Sequence, residues 1–276
     1  GETLRILCMD NQWWATPKQV LGVASSRALI APAYDAAFLP GERSADFAHR
    51  LGFSDERIIR GLYTCDYGRF APIAAARAGA APPRAFAFVG RLVPVKGIDT
   101  LADAYRRYRG MVDEPWPLVV GGVGPEEGRL AGLPGVERLG FVQPDDLPEV
   151  LGRVGCLVLP SRFEPWAVVI HEAVTAGLPV VCTSVCGAAS RLVLDGYNGR
   201  VVSPGDPDAL ARALVAISSA SDDRRAAMSA ASRGLARQFT PDRWADHLLD
   251  RIGELRSVLG LPALPAVRSA PDRSRA

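Results

Sequence analysis

Four side chains in this 276-residue sequence have types and spacing suited to chemistry on a polar ligand: Arg91, Lys96, Glu164 and Glu172. The two glutamates lie in EPWAVVIHEA, from Glu164 to Ala173. Eight residues of continuous helix rise about 12 Å, so this spacing does not make a carboxylate pair sharing one proton. It suits the two ends of an extended ligand, each carboxylate accepting charge-assisted hydrogen bonds from its own set of hydroxyls. Two ordinary surface glutamates are the competing reading, because acids are favoured near helix starts in any case. The cations lie in GRLVPVKG, residues 90–97. Arginine binds two oxygens in a fork and lysine acts as a point charge, so a diphosphate is the natural partner. Gly90 and Gly97 keep that backbone thin. Ordinary loop charges are the alternative there.

The elements that must position these groups follow from the apolar pattern. CLVLPS (156–161) reads as a buried parallel strand, and a helix is expected to begin near Trp166, with Pro165 at its start. GRLVPVKG follows strand AFAFVG (85–90) and precedes a helix over 97–109. In open parallel sheets, ligands bind at that end of the strands. The third glycine-rich turn, GGVGP (121–125), is neither GxGxxG nor a P-loop and supports no nucleotide reading alone. Further strands are expected at 117–123, 136–142, 180–183 and 199–203. Helices are expected at 144–154, near 188–194, and at 207–217, 222–239 and 241–260. In the last of these Trp244, Leu248, Ile252, Leu255 and Leu259 form one stripe. Before residue 72 the pattern gives strands at 4–10 and 57–63, one or two strands over 27–41, and helices at 17–25 and 42–52. Residues 65–72 read as a connector, followed by a Pro- and Ala-rich linker from Pro72 to Arg84. The alternation of strands and helices defines an α/β protein with doubly wound parallel sheets.

Composition bounds the rest. The net charge of +2 is too small to argue for nucleic acid. No 18-residue apolar run is present, so no membrane-spanning helix is expected. Five cysteines without CxxC spacing fit reduced thiols and a cytoplasmic setting. No signal-peptide pattern opens the sequence, and Gly1 stands at its start, as in a fragment or a processed chain. The arginines of the final segment leave peripheral contact with the inner face of the cell membrane open. A solvated tail is the favoured reading.

In order along the chain, GRLVPVKG, GVGP, LGFV and PSRFEPWAVVIHEA resemble the second domain of the retaining, nucleotide-sugar-dependent glycosyltransferases of family 4, which have the GT-B fold. The resemblance covers residues 85 to about 260 well, and residues 27–72 more weakly, as the last units of that family's first domain. It implies residues 1–72 as the later part of a Rossmann-like acceptor domain, lacking its first part, and 73–240 as the donor-binding Rossmann-like domain. Residues 241–260 become a helix packing back on the first domain, with 261–276 a disordered tail.

The resemblance also implies roles. Arg91 and Lys96 hold the donor diphosphate beside Gly90, and Glu172 takes the ribose hydroxyls. Glu164 takes those of the transferred sugar and is expected to leave binding of the nucleotide alone untouched. Phe141 and Val142 position the base, and the backbone from Trp166 through Ala167 to Val168 approaches phosphate or sugar. Arg91, Lys96 and Glu164 are the catalytic candidates. No metal and no cofactor are implied beyond the donor substrate. The acceptor, a glycan, a lipid-linked sugar or a small molecule, stays open, as does the oligomeric state. Two departures stand out: Ala167 replaces a usual glycine, and Arg191 replaces a usual acid in GAASR (187–191). His49, His171 and His247 read as packing or solvent residues. A non-catalytic nucleotide-sugar-binding module and another GT-B enzyme, such as a sugar-nucleotide epimerase, are the alternative functions.

Overall fold

The computed structural model describes residues 3–77, 79 and 82–263. Two parallel sheets organise them. The first has the order β1 (Ile6–Cys8), β2 (Ala36–Leu39), β3 (Ile58–Arg60). Alternation along β2 sends Ala37 and Leu39 to one face and Ala36 and Phe38 to the other. The first face is covered by Ala45, Phe47, Ala48 and Leu51 of α2 (Glu42–Leu51). Gly52 stops that helix in the left-handed conformation, at φ 103°.

Two expectations for this region are corrected. Residues 27–29 are helical, not extended: α1 runs Pro17–Leu29 from a capping box made by Thr16 and Gln19, with Pro17 at its first position. Residues 65–72 are not a connector: α3 spans Tyr67–Ala76 and is capped by the Asp66 side chain. Pro72 lies inside that helix, where proline normally argues for a break. The linker therefore starts after Ala76, and part of it, residues 78, 80 and 81, lies outside the described residues, as do residues 264–276 of the tail.

The second sheet carries the larger core. Its strands are β4 (Phe86–Val89), β5 (Leu118–Gly121), β6 (Val136–Gly140), β7 (Cys156–Leu159), β8 (Val180–Thr183) and β9 (Gly199–Val202). Their spatial order is β6-β5-β4-β7-β8-β9, with every pairing parallel. The intervening helices are α4 (Ile98–Arg109), α5 (Leu147–Gly152), α6 (Val168–Thr175) and α7 (Ala189–Leu192), and α8 (Pro207–Ser218) and α9 (Asp222–Ala236) follow the last strand. The inner strands β4, β5, β7 and β8 are apolar and almost wholly buried, as strands covered on both faces must be. The edge strand β6 instead exposes Glu137 and Arg138. Tyr105 and Tyr108 of α4 are fully buried, and the Tyr105 hydroxyl is satisfied by the Trp116 carbonyl at 2.9 Å.

The chain then returns to the first sheet. In α10 (Pro241–Val258), Trp244, Leu248 and Leu255 cover the face formed by Ala36, Phe38 and Ile59. The Trp244 indole N–H donates to the Leu62 carbonyl at 3.2 Å. No helix among the described residues is long and apolar enough to cross a membrane.

Candidate functional site

The strand order places a reversal between β4 and β7: the chain builds outward from β4 through β5 to β6, then resumes on the other side at β7. Loops leaving neighbouring strands at such a point run in opposite directions and leave a crevice at the carboxyl ends. The loop after β4 is GRLVPVKG and the loop after β7 is PSRFEPWA. A cleft of about 450 Å³ opens there, lined by Gly90, Arg91, Lys96, Glu164, Trp166, Ala167, Val168 and Glu172, with Asp10 and Tyr63 across from them. Eight of the ten site residues expected from the sequence thus share one cleft.

Phe141 and Val142 do not. β6 ends at Gly140, and Phe141 points outward, 64% exposed. Val142 packs instead against Gly121, where a β-carbon would lie 2.7 Å from its Cγ2. Neither residue lines the cleft.

Local backbone explains the two loops. After β4, a 3-10 turn over Pro94–Lys96 is closed by Gly97 at φ 69°. A β-carbon on Gly97 would meet the Pro160 carbonyl oxygen at 2.2 Å, so the loops after β4 and β7 approach as only glycine permits. The same reason accounts for GGVGP: a β-carbon on Gly122 would lie 1.9 Å from the Gly90 carbonyl oxygen. That turn supports the first loop from behind.

After β7 the helix begins two residues later than expected. α6 starts at Val168, because Ala167 takes a left-handed conformation, φ 80° and ψ 79°, and Pro165 stays in the loop. Val168 and Val169, the first residues of α6, line the cleft.

The electrostatics bind the two loops together. Lys96 Nζ forms an ion pair with Glu164 Oε2, and Ser161 Oγ lies 3.4 Å from the same oxygen. Glu164 is 7% exposed, which removes the reading of an ordinary surface acid. Arg91 is exposed at the rim and has no protein partner among the described residues. Burial pushes the Glu172 carboxyl up to about 7, against a smaller opposing effect of Arg69.

His171 is a packing residue. It is buried, accepts a 2.9 Å hydrogen bond from the Trp166 indole N–H, and is held neutral by burial, its pKa lowered to about 4. Arg191 lies with its guanidinium 5.6 Å from the Phe239 ring centroid and lines a neighbouring hollow, not the cleft.

Three contributors were not singled out from the sequence. Gln12 is buried and donates to the carbonyls of Pro165 at 2.7 Å and Glu164 at 3.4 Å, fixing the EPW backbone from the first sheet's side. Tyr63 donates to Asp10 Oδ2 at 3.1 Å, and burial followed by that carboxylate raises its pKa. Asp10 closes the stretch 4–10, a carboxylate at the end of an expected strand, and could have been noted on that ground. Gln12 and Tyr63 carry no such signal.

A three-stranded parallel sheet beside a doubly wound six-stranded one, with a polar cleft at the larger sheet's reversal, defines a GT-B-type α/β protein. The chain belongs to the glycosyl transferases group 1 family, whose model matches residues 83–220, half of its length. It is 33% identical over 215 residues to a D-inositol 3-phosphate glycosyltransferase of Salinispora tropica, covering 68% of this chain and 44% of that protein. It is 30% identical over 215 residues to a glycogen synthase of Mycobacterium tuberculosis, covering 72% of this chain and 50% of that protein. The chain therefore spans half or less of the length of these relatives. In fold it is similar to a glycosyltransferase from Rickettsia africae, with TM-score 0.73, 13% identity, and 92% of this chain and 70% of that one covered. Anabaena Alr3699/HepE in complex with UDP gives TM-score 0.72, 20% identity, and coverage of 90% and 71%.

Proposed function

We propose that this chain carries the donor side of a sugar transfer from a nucleoside-diphosphate sugar, with retention of anomeric configuration. The observation that carries the reading is the Lys96–Glu164 pair beside half-buried Glu172 in one cleft at the β4–β7 reversal. Arg91 and Lys96 take the diphosphate, and Gly90 lets the backbone come close. The amino terminus of α6, at Ala167 and Val168, adds its positive end. Glu172 accepts from the ribose hydroxyls and Glu164 from hydroxyls of the sugar.

In the reaction, the bond between the anomeric carbon and the diphosphate oxygen breaks. The acceptor hydroxyl attacks on the same face and passes its proton to the departing diphosphate. The charge left on that group is where Arg91 and Lys96 act, stabilising the leaving state more than the bound donor. No metal and no further cofactor enter this scheme. The acceptor class is open.

Structures of the HepE neighbour are described with UDP-glucose and with UDP and glucose, which makes UDP-glucose the first donor to test. The experiment is calorimetric titration of UDP and UDP-glucose into the wild-type chain and into Arg91→Ala and Lys96→Ala. Each variant is expected to lose about tenfold or more in affinity for UDP, the effect of removing a charge-assisted contact. Unchanged affinity in both would remove the diphosphate assignment.

A further inference from the structure

A second cavity, of about 300 Å³, lies at the opposite end of the larger sheet, below Gly155 and Pro179, which lead into β7 and β8. Its walls hold Arg77 at the end of α3, and Arg225, Ser229 and Arg233 of α9. Among the described residues, four buried side-chain nitrogen or oxygen atoms have no hydrogen-bond partner, and three of them belong to this cavity's walls: Arg77 Nε, Arg225 Nε and Ser229 Oγ. Buried polar groups without partners are uncommon, and each calls for an explanation. Three around one hollow point to a missing group rich in acceptor oxygens.

The charges agree. Arg77 donates through Nη2 to the carbonyls of Leu151 at 2.6 Å, Gly152 at 3.1 Å and Val154 at 2.7 Å, with no carboxylate among its partners in the described residues. That burial without a counter-ion lowers its pKa to about 10. Among the described residues Arg233 likewise reaches only a carbonyl, that of Ala74, at 3.1 Å. Arg225, 3% exposed, is paired with Asp222, which also lies 3.8 Å from Arg84. Asp223 lines the cavity too, but from an exposed position. Among the described residues, Arg77 and Arg233 thus line the hollow without a carboxylate partner, Asp222, which lines it as well, being paired with Arg225, and Ser229, 8% exposed, adds a hydroxyl free to turn about its own bond.

We propose that this cavity is a binding site for a small phosphate-type oxyanion, free or carried on a small metabolite, held by Arg77, Arg233, Ser229 and Arg225. It is separate from the donor cleft, and its occupant clips the end of α3 to α9. A planar carboxylate would satisfy fewer of the donors than a tetrahedral group with acceptors on every side.

The test titrates inorganic phosphate into the whole chain at constant ionic strength, followed by calorimetry or by phosphorus NMR line width. Because phosphate is also drawn to the donor cleft, the titration is repeated in an Arg91→Gln, Lys96→Gln, Glu164→Gln triple variant, which leaves no buried carboxylate without its counter-charge and in which binding is expected to persist. Arg77→Gln and Arg233→Gln are each expected to weaken it about tenfold or more. Ser229→Ala breaks no hydrogen bond of the folded chain, so it keeps the fold and is expected to weaken phosphate several-fold. The proposal is overturned if phosphate fails to bind at tens of millimolar. It is equally overturned if binding vanishes with Arg91 and Lys96, or survives intact in both Arg77→Gln and Ser229→Ala.

Discussion

Lys96, from the loop after β4, and Glu164, from the loop after β7, are ion-paired across the crevice between those strands, with side chains only 18% and 9% exposed. In the proposed reading these groups serve different parts of the donor, lysine the diphosphate and glutamate the sugar. Without donor each is the other's partner. Donor binding then exchanges one internal pair for two external contacts, and a nucleotide lacking its sugar supplies only one of them.

That exchange sets the first prediction. Glu164→Gln frees Lys96, so affinity for a nucleoside diphosphate alone is expected to rise about threefold to tenfold, while binding of the complete nucleotide-sugar falls by a similar factor. This revises the reading from sequence, in which Glu164 leaves the nucleotide untouched. Lys96→Ala leaves Glu164 buried without its counter-charge and is expected to destabilise the fold by about 2–4 kcal/mol, more than Glu164→Gln does. Calorimetry with both ligands and urea melts of both variants check this. Equal affinity of wild type and Glu164→Gln for the nucleotide would show that the pair does not compete with it.

Glu172 makes stability depend on pH. Burial raises its folded-state pKa from 4.5 to about 7. A carboxyl raised in this way favours the fold fully below its unfolded value, and the advantage is lost as pH rises through 7. The span corresponds to about 3 kcal/mol. Glu172→Gln carries no such charge, so it is expected to exceed wild type in stability at pH 8 by about 3 kcal/mol, with the gap below about 1 kcal/mol at pH 5. It should also bind nucleotide more weakly. Urea denaturation of both proteins at the two pH values decides it, and parallel pH profiles would mean that the carboxyl is not buried in solution.

The sequence was legible where one local rule governs. Apolar runs bounded by Pro and Gly located β4, β7 and β8 to within two residues at each end, because strands buried on both faces need little but hydrophobicity. Local rules misled at α3, where Pro72 reads as a breaker although the helix accommodates it. They also misled at residues 27–29, where the helix opened by the Thr16–Gln19 capping box runs on through residues read as the start of a strand. The chemistry of Arg91, Lys96, Glu164 and Glu172 was legible from residue type and neighbouring elements. Their convergence depends on strand order, which no local pattern encodes. The Lys96–Glu164 pair spans 68 positions and the Gln12–Pro165 bond 153, and such contacts are created by the fold alone.

Ala167 offers a test of backbone strain. It holds φ 80° with a β-carbon, at the point where the chain turns from the EPW loop into α6. An L-residue in this region costs about 1–2 kcal/mol, and glycine returns part of that gain through its freer unfolded chain. Ala167→Gly is expected to be stabilising by about 0.5–1 kcal/mol and to tighten donor binding, since removing the methyl opens the backbone to the ligand. Destabilisation by the same amount in a denaturant titration would show that the methyl contributes packing worth more than the strain.

Gln12 tests whether the first sheet's side helps to shape the donor site. Its side-chain amide is buried and reaches the Pro165 carbonyl at 2.7 Å, while its backbone carbonyl accepts from Gln19 Nε2 at 2.7 Å. The chain from the α1 cap to the EPW loop is thus continuous through hydrogen bonds. Gln12→Ala strands the Pro165 carbonyl in a buried place, at a cost of about 1–3 kcal/mol. Because that carbonyl precedes Trp166 and Ala167, the loss loosens the backbone that the proposed donor approaches. Donor affinity is therefore expected to fall although Gln12 does not line the cleft. Gln12→Glu retains the shape but replaces the donating amide by an acceptor facing a carbonyl, so it should do at least as much harm as alanine. Calorimetry with UDP-glucose on both variants, alongside their denaturation midpoints, separates the outcomes. Undiminished affinity in a destabilised Gln12→Ala would mean that the bond holds the two sides of the molecule together without shaping the site.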